Sequence, residues 1–340
     1  MARKNNVTIK SIAAVCGVSA ATVSRVLNDI PGCCSAETEA RIRQSAREMG
    51  YVPNIMARSL VTRRTGLVAV LVPDIHYYFF QEFYFGLEEY FGKFGLYPLL
   101  CNTQQNEKRE RQYLRSMSNG LADGMIVSTL NCKENNDELI RLKREGFPII
   151  TLERYGDELD GCCNIRLDNE LASEMAVDYL YQQGHKEIAY ISGPDNALNS
   201  KKRYEGYERG MRKCGLEVKE DLIGYADYKF DKSVLETLRL IETQKFTALI
   251  AANDLMCLGA CKAFRKKGME IPKDISIVGV DNTSNLELYQ PRITAISLGG
   301  YEVGKWAGEC MNRMLNGEDM GKMNYVFSPE LKQGKSVLPV

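Results

Sequence analysis

Apolar positions recur along this chain in two different rhythms. Over the first fifty residues they fall three or four apart, in short amphipathic runs. Ile9, Ile12, Ala13 and Cys16 share one helical face, with Thr8 ahead as an N-cap and Gly17 behind as a stop. After a turn of about three residues, Ser19 caps a second run, Ala20 to Asn28, that turns Val23, Val26 and Leu27 inward. A third run starts at Ser35 or Ala36 and ends at Met49, with Ile42, Ala46 and Met49 on its inner side and Gly50 closing it.

From Leu67 the rhythm changes to continuous apolar blocks separated by helix-period stretches. The blocks are "LVAVLVPD", "YPLLC", "DGMIVS" and "FPIITLE", with helices predicted over Phe80 to Phe94, Asn106 to Met117 and Asp137 to Glu145. A second half repeats the scheme, with strands around "NIRLD", "EIAYISG", "ALIAAND" and "ISIVGVD" and helices around 169–183, 199–214, 232–243 and 253–267. Continuous apolar strands between helices imply parallel sheets covered on both faces. The fold class expected is therefore a small all-α domain followed by two doubly wound α/β lobes. In such lobes ligands bind in the crevice at the C-terminal strand ends. Asp74, Glu153-Arg154, Asn253-Asp254 and Asp281-Asn282 fall at those ends. Any one of them suits a turn or an N-cap, but their repetition after successive strands points to a binding cleft.

Two short helices joined by a tight turn and braced by a third describe a helix-turn-helix, whose second helix enters the DNA major groove. The pattern also fits an ordinary three-helix subdomain with a polar outer face. In the DNA reading, Ala20 and Ala21 let the backbone approach and offer methyls to thymine, and Arg25 reaches O6 and N7 of a guanine. Ser19, Thr22, Ser24 and Asn28 are short donors for phosphate oxygens, and Thr8 is grouped with them.

Charge sharpens this division. The net charge of zero hides a basic head: residues 1–65 hold ten Lys/Arg against four Asp/Glu, and the remainder holds 34 against 40. A polyanion partner for the head alone follows. The 340 residues suit two or three domains. No apolar run approaches a membrane span, and no signal-peptide core follows "MARKNNVTIK", so a cytoplasmic protein with no membrane partner is expected. Eleven cysteines without C-x-x-C spacing, and only two histidines, suggest reduced thiols and no metal site or cofactor.

"VTIKSIAAVCGVSAATVSRVLN", followed by "GYVPNIMARSL", resembles the N-terminus of the lactose/galactose-repressor family of bacterial transcription regulators, and the similarity continues along nearly the whole chain. The resemblance implies that Ala20, Ala21 and Arg25 read bases. It further implies a hinge helix after Pro53 that orders on operator DNA and pairs with its dimer mate in the minor groove. Asn54 and Arg58 would contact the DNA there and Leu60 would wedge a base step, with Arg63 and Arg64 adding phosphate charge. Two positions depart from the family: Cys34 replaces a valine and Glu39 an arginine, with Arg41 and Arg43 available to compensate.

The body resembles the periplasmic sugar-binding-protein fold. By that resemblance Phe79 and Phe80 stack on a sugar ring, and Glu153, Arg154, Arg203, Asn253 and Asp281 hold its hydroxyls. Asp74 at the first strand end joins the set. Tyr77 and Leu298 replace an asparagine and a glutamine and make the pocket less polar. The implied domains are a helix-turn-helix over 1–52, a hinge and linker over 53–65, an N-terminal lobe of 66–163 plus 296–323, and a C-terminal lobe of 164–294 plus 324–340.

The function expected is a transcriptional repressor. It would bind a pseudo-palindromic operator as a homodimer and be gated by a carbohydrate-like effector in the interlobe cleft. With no long heptad tail after Pro339, a dimer is favoured over a tetramer. Two alternatives stay open: the same architecture answering a protein co-regulator or a non-sugar effector, and a sugar-processing enzyme. No nucleophile, phosphate-loop or zinc motif supports the enzyme.

Overall fold

Three helices build the head: α1 (Ile9–Cys16), α2 (Ala20–Leu27) and α3 (Ala36–Glu48). The computed structural model describes residues 7–28, 30–51, 64–128, 133–153, 162–320 and 323–340, and the chain divides into two units, Met1–Thr65 and Gly66–Val340. Each head helix starts on a hydroxyl. Thr8 Oγ1 accepts from Ser11 N at 3.2 Å while Ser11 Oγ accepts from Thr8 N at 2.8 Å, a reciprocal capping box. Ser19 Oγ accepts from Thr22 N at 3.0 Å, and Ser35 Oγ from Thr38 N at 3.3 Å. Gly17 ends α1 at φ 64°, a conformation that costs glycine nothing. Ile12, Val23 and Ile42 are fully buried where the three helices meet, with Ala13, Cys16, Val26 and Ala46 around them.

The second unit alternates strand and helix. Its first stretch runs β1 (Leu67–Val72), α4 (Tyr78–Gly92), β2 (Tyr97–Asn102), α5 (Glu107–Ser116), β3 (Gly124–Val127), α6 (Lys133–Arg144), β4 (Ile149–Leu152) and β5 (Cys163–Leu167). The second runs α7 (Asn169–Gln182), β6 (Ile188–Ser192), α8 (Leu198–Lys213), β7 (Ile223–Tyr225), α9 (Phe230–Thr243), β8 (Ala248–Ala251), α10 (Asp254–Lys266), β9 (Ser276–Asp281), a one-turn α11 (Ser284–Glu287) and β10 (Thr294–Ser297). Then come α12 (Gly300–Leu315), β11 (Asn324–Phe327) and β12 (Glu330–Lys332). The first sheet is wholly parallel, in the order β11-β5-β4-β3-β1-β2. The second is β12-β10-β9-β8-β6-β7, parallel except for the antiparallel edge strand β12. The central strands are buried along their length, as continuous apolar blocks require.

The sheets divide the chain differently from the boundaries expected at 163/164, between 294 and 296, and at 323/324. Both β5 and β11 belong to the first sheet, where Asn164 pairs with Asn324 and Leu167 with Phe327. The chain therefore changes lobe after Leu167, after Ser297 and after Phe327. A short apolar strand reads alike in either sheet; only its pairing partner, 160 residues away, decides. The apolar blocks do not predict strands β7, β10, β11 and β12 or helix α12.

Helix α12 packs across α4 and the first sheet, backbone against backbone. A Cβ on Gly86 would stand 2.0 Å from Tyr301 O, and one on Gly304 2.0 Å from Phe83 O. At the far end, His185 ties down the C-terminal tail: Nδ1 lies 2.8 Å from Thr247 Oγ1 and Nε2 3.1 Å from Leu338 O. Among the described residues, no single helix is long and apolar enough to cross a membrane.

Candidate functional site

On α2 the outward stripe is short and simple. Ala21 and Arg25 are exposed one turn apart, and Ala20, Thr22 and Ser24 are half-buried beside them. Thr8, Ser19 and Asn28 have local work to do. Thr8 and Ser19 cap helices, and Asn28 Nδ2 donates to Ser24 O at 2.8 Å. Arg43 does not stand available to compensate for Glu39. It binds that carboxylate through Nε (3.1 Å) and Nη2 (2.7 Å), one turn apart on α3. Arg41 remains exposed. Asn54, Arg58 and Leu60 lie outside the described residues.

In the body, a cavity of about 160 Å³ opens between the strand ends of the two lobes. Phe79, Phe80, Glu153, Arg203, Asn253 and Asp281 all line it, together with Tyr77, Gln105, Ser128, Asn196, Asn199 and Tyr228. Asp74 lines an adjoining outer chamber instead. Leu298 is buried and faces a separate cavity at the lobe crossovers, so it does not lower the polarity of the main one. Arg154 lies outside the described residues.

The charged side chains of this cavity are already bonded to one another. Arg203, 4% exposed, donates through Nη2 to Asp281 Oδ1 at 2.8 Å, through Nε to Asn169 Oδ1 at 2.8 Å, and through Nη1 to Ala252 O. Asn169 Nδ2 donates in turn to Glu153 Oε2, while Glu153 Oε1 accepts from Leu167 N at 2.6 Å. One chain of bonds thus runs from the end of β4 in the first sheet to the end of β9 in the second, through Asn169, two residues past a crossover. Burial raises the Asp281 carboxyl above its ordinary value and the Arg203 guanidinium offsets part of that rise. Behind it the buried Asp254 accepts from Asn282 N (3.1 Å), Thr283 N (2.6 Å) and Thr283 Oγ1 (2.6 Å). Those bonds hold the turn after β9 in place.

Backbone strain marks the same region. Among the described residues, seven non-glycine residues have φ in the left-handed range: Gln104, Gln105, Glu153, Asp227, Tyr228, Asp281 and Asn282. Every one lines the main cavity or one of the two chambers beside it. Such conformations persist only where surroundings enforce them, and they gather at ligand sites. Sequence reasoning missed Gln105 and Tyr228. Tyr228 follows β7, a strand of three residues that the apolar pattern does not reveal. The Gln104-Gln105 pair after "YPLLC" was the available signal.

A helix-turn-helix head and a two-lobed body with a polar cleft at its strand ends together define a DNA-binding regulator of periplasmic-binding-protein type. A sequence profile described as "Bacterial regulatory proteins, lacI family" matches residues 8–54, and one described as "Periplasmic binding proteins and sugar binding domain of LacI family" matches residues 65–324. The chain belongs to the LacI family of bacterial transcriptional regulators. It is 33% identical to the HTH-type transcriptional regulator RegA of Clostridium saccharobutylicum, over 97% of this chain and 99% of the relative. It is 31% identical to catabolite control protein A of Priestia megaterium, over 92% and 94%. Among solved structures, the lac repressor dimer bound to operator and the anti-inducer ONPF superposes with a TM-score of 0.85 at 21% identity, covering 98% of this chain and 100% of the other. The transcriptional regulator CelR–cellobiose complex gives 0.72 at 24%, covering 97% and 100%. Both establish the shared fold.

Proposed function

We propose that the chain represses transcription in the cytoplasm as a homodimer on a pseudo-palindromic operator, and that a carbohydrate effector in the interlobe cavity sets its affinity for DNA. The observation that carries this reading is the cavity itself: aromatic rings and a carboxylate–amide–guanidinium chain converge from both lobes beside the crossovers. Aromatic faces suit the apolar side of a sugar, and mixed donors and acceptors suit its hydroxyls. In this reading Phe79 and Phe80 cover the ring, and Glu153, Arg154, Arg203, Asn253 and Asp281 hold hydroxyls. Asp74 acts at the outer chamber. On DNA, Ala20, Ala21 and Arg25 read bases, with Thr8, Ser19, Thr22, Ser24, Asn28, Asn54 and Arg58 on the backbone and Leu60 as the wedge.

The dimer reading has its own support. β2 is an edge strand of the first sheet, and Tyr97 (60% exposed), Leu99 and Leu100 on it, with Phe85 (58%) and Phe94 nearby, leave it apolar. A bare apolar edge invites pairing unless a partner covers it, and a second copy is that partner here.

The test is a thermal-shift screen of the full-length protein against a sugar library, followed by operator binding with and without each hit. A ligand of the native state raises the midpoint by mass action. Asp281→Asn, checked for folding by circular dichroism, is expected to lose the effector response and keep operator affinity within about threefold, a shift smaller than 1.4 kcal/mol. A folded Asp281→Asn protein with undiminished effector affinity contradicts the assignment.

A further inference from the structure

Two volumes meet in the cleft, and a pair of tyrosines stands between them. The inner cavity of about 160 Å³ adjoins an outer chamber of about 590 Å³, and Gln105, Pro194 and Asn196 border both. Tyr77 and Tyr228 border the inner cavity alone, yet their neighbours along the chain border the outer one. Asp74, just ahead of Tyr77, lines the outer chamber, and so do Asp227 and Lys229 on either side of Tyr228. The two rings therefore mark the boundary.

The pair also joins the lobes. Tyr77 follows β1 in the first lobe, and Tyr228 follows β7 in the second. Their rings meet edge to face with centroids 5.4 Å apart, a favoured geometry for aromatic pairs. Gln105, common to both volumes, donates to the Tyr77 hydroxyl.

Strained backbone supports this partition from both sides. Gln104 and Gln105 (φ 53° and 55°) form one run of consecutive left-handed residues, and Asp227 and Tyr228 (φ 50° and 57°) form another. One run follows β2 and the other β7, which are terminal strands of the two sheets. Two non-glycine residues in succession there are costly and persist only where their surroundings hold them. The holding bonds are visible. Arg109 Nη1 donates to Gln104 Oε1 at 2.6 Å, Gln105 N to Pro73 O at 3.0 Å, and Lys229 N to Ala226 O at 2.7 Å.

We propose that Tyr77, braced by Gln105 and Tyr228, sets the length of the effector: the partition admits a single sugar ring and turns away a disaccharide built on it. This inference rests on the effector reading above and specifies the size of the ligand. A cavity of about 150 Å³ takes one benzene ring, so the inner cavity has room for one six-membered ring and not for two. A second ring would have to lie where Tyr77 stands, and that clash supplies the discrimination. Beyond the partition, Asp74, Gln104, Asp195 and Asp227 offer carboxylates and an amide to sugar hydroxyls. Without the Tyr77 ring, the outer chamber can receive the second sugar.

The experiment is calorimetric titration of the full-length protein with D-glucose against cellobiose and maltose, and with D-galactose against lactose. In any set that binds, the monosaccharide is expected to bind at least about tenfold tighter than its disaccharide. Tyr77→Ala, checked for folding by circular dichroism, is expected to raise the disaccharide-to-monosaccharide affinity ratio at least about tenfold. Tyr77→Phe keeps the ring and is expected to leave that ratio within about threefold. Gln105→Gly removes the brace at a φ that glycine adopts freely. It is expected to raise the ratio several-fold, and it carries the test if Tyr77→Ala does not fold.

A wild-type protein that binds a disaccharide as tightly as its monosaccharide overturns the proposal. So does a ratio that neither Tyr77→Ala nor Gln105→Gly moves, which places the discrimination elsewhere in the cleft. If no sugar binds the wild type or either variant, the carbohydrate reading itself falls, and this inference with it.

Discussion

Arg25 stands exposed on α2 one turn beyond Ala21, and its planar fork is the group on this helix with reach for two bonds to one guanine edge. Arg25→Ala is expected to cost about 1–3 kcal/mol on operator DNA and to relax preference at one guanine per half-site. Titrations on specific and random duplexes check it: equal losses on both would reduce Arg25 to a phosphate contact. At this scale the sequence was legible where chemistry and position coincide. Glu153 and Asp281 show themselves because an apolar block ends on a carboxylate. What stayed hidden is pairing. Nothing in "SKKRYEGY" says that Arg203 spends its donors on Asn169, Ala252 and Asp281. Those bonds join residues by geometry that periodicity does not carry, except one turn apart on a helix, where the Glu39–Arg43 spacing was readable.

Between elements, the α4–α12 crossing is the tightest feature of the first lobe. Gly304→Ala places a methyl carbon where Phe83 O stands 2.0 Å away, and neither backbone can yield locally. We expect a loss of about 1–3 kcal/mol or more, measured as a lower denaturant midpoint with an unchanged slope. His185 sets a pH limit at the opposite end. Burial lowers its pKa below the ordinary 6.5, against the pull of the Leu338 carbonyl. The unfolded chain therefore takes up this proton first as pH falls. The stabilisation from neutral His185 is full above pH 6.5 and is lost as pH drops from there toward its lower folded value. Wild type is expected to lose stability between pH 7 and 5, and His185→Gln to show a flatter profile over that interval. Identical slopes would clear His185 of the role. Most strands and helices of the body were readable from apolar blocks, but their sheet was not. The pairing of β5 with β11 is a contact across 160 residues, and β7 and β12, three residues each, are too short for any period to register.

The whole molecule couples a DNA-reading unit to a two-lobed one, so effector and operator must influence each other equally. If saturating effector changes operator affinity by some factor, typically about 5–150 in coupled systems, saturating operator must change effector affinity by that same factor. Two anisotropy or calorimetry titrations measure both, and unequal factors would mean that effector acts on something other than the proposed equilibrium. The threefold crossing between lobes carries one more consequence, which concerns how the chain is made. Helix α4 is complete at Gly92, yet α12, which covers Phe83 and Leu87, begins only at Gly300, and β11 follows later still. At synthesis rates of about 5–20 residues per second, that partner arrives roughly 10–40 s later. Throughout that interval the nascent first lobe lacks both its covering helix and its last strand, and by its end the second sheet has every strand but β12. The lobe translated first thus waits longest for its covering helix, and on the ribosome its apolar face is the surface a chaperone has to shield.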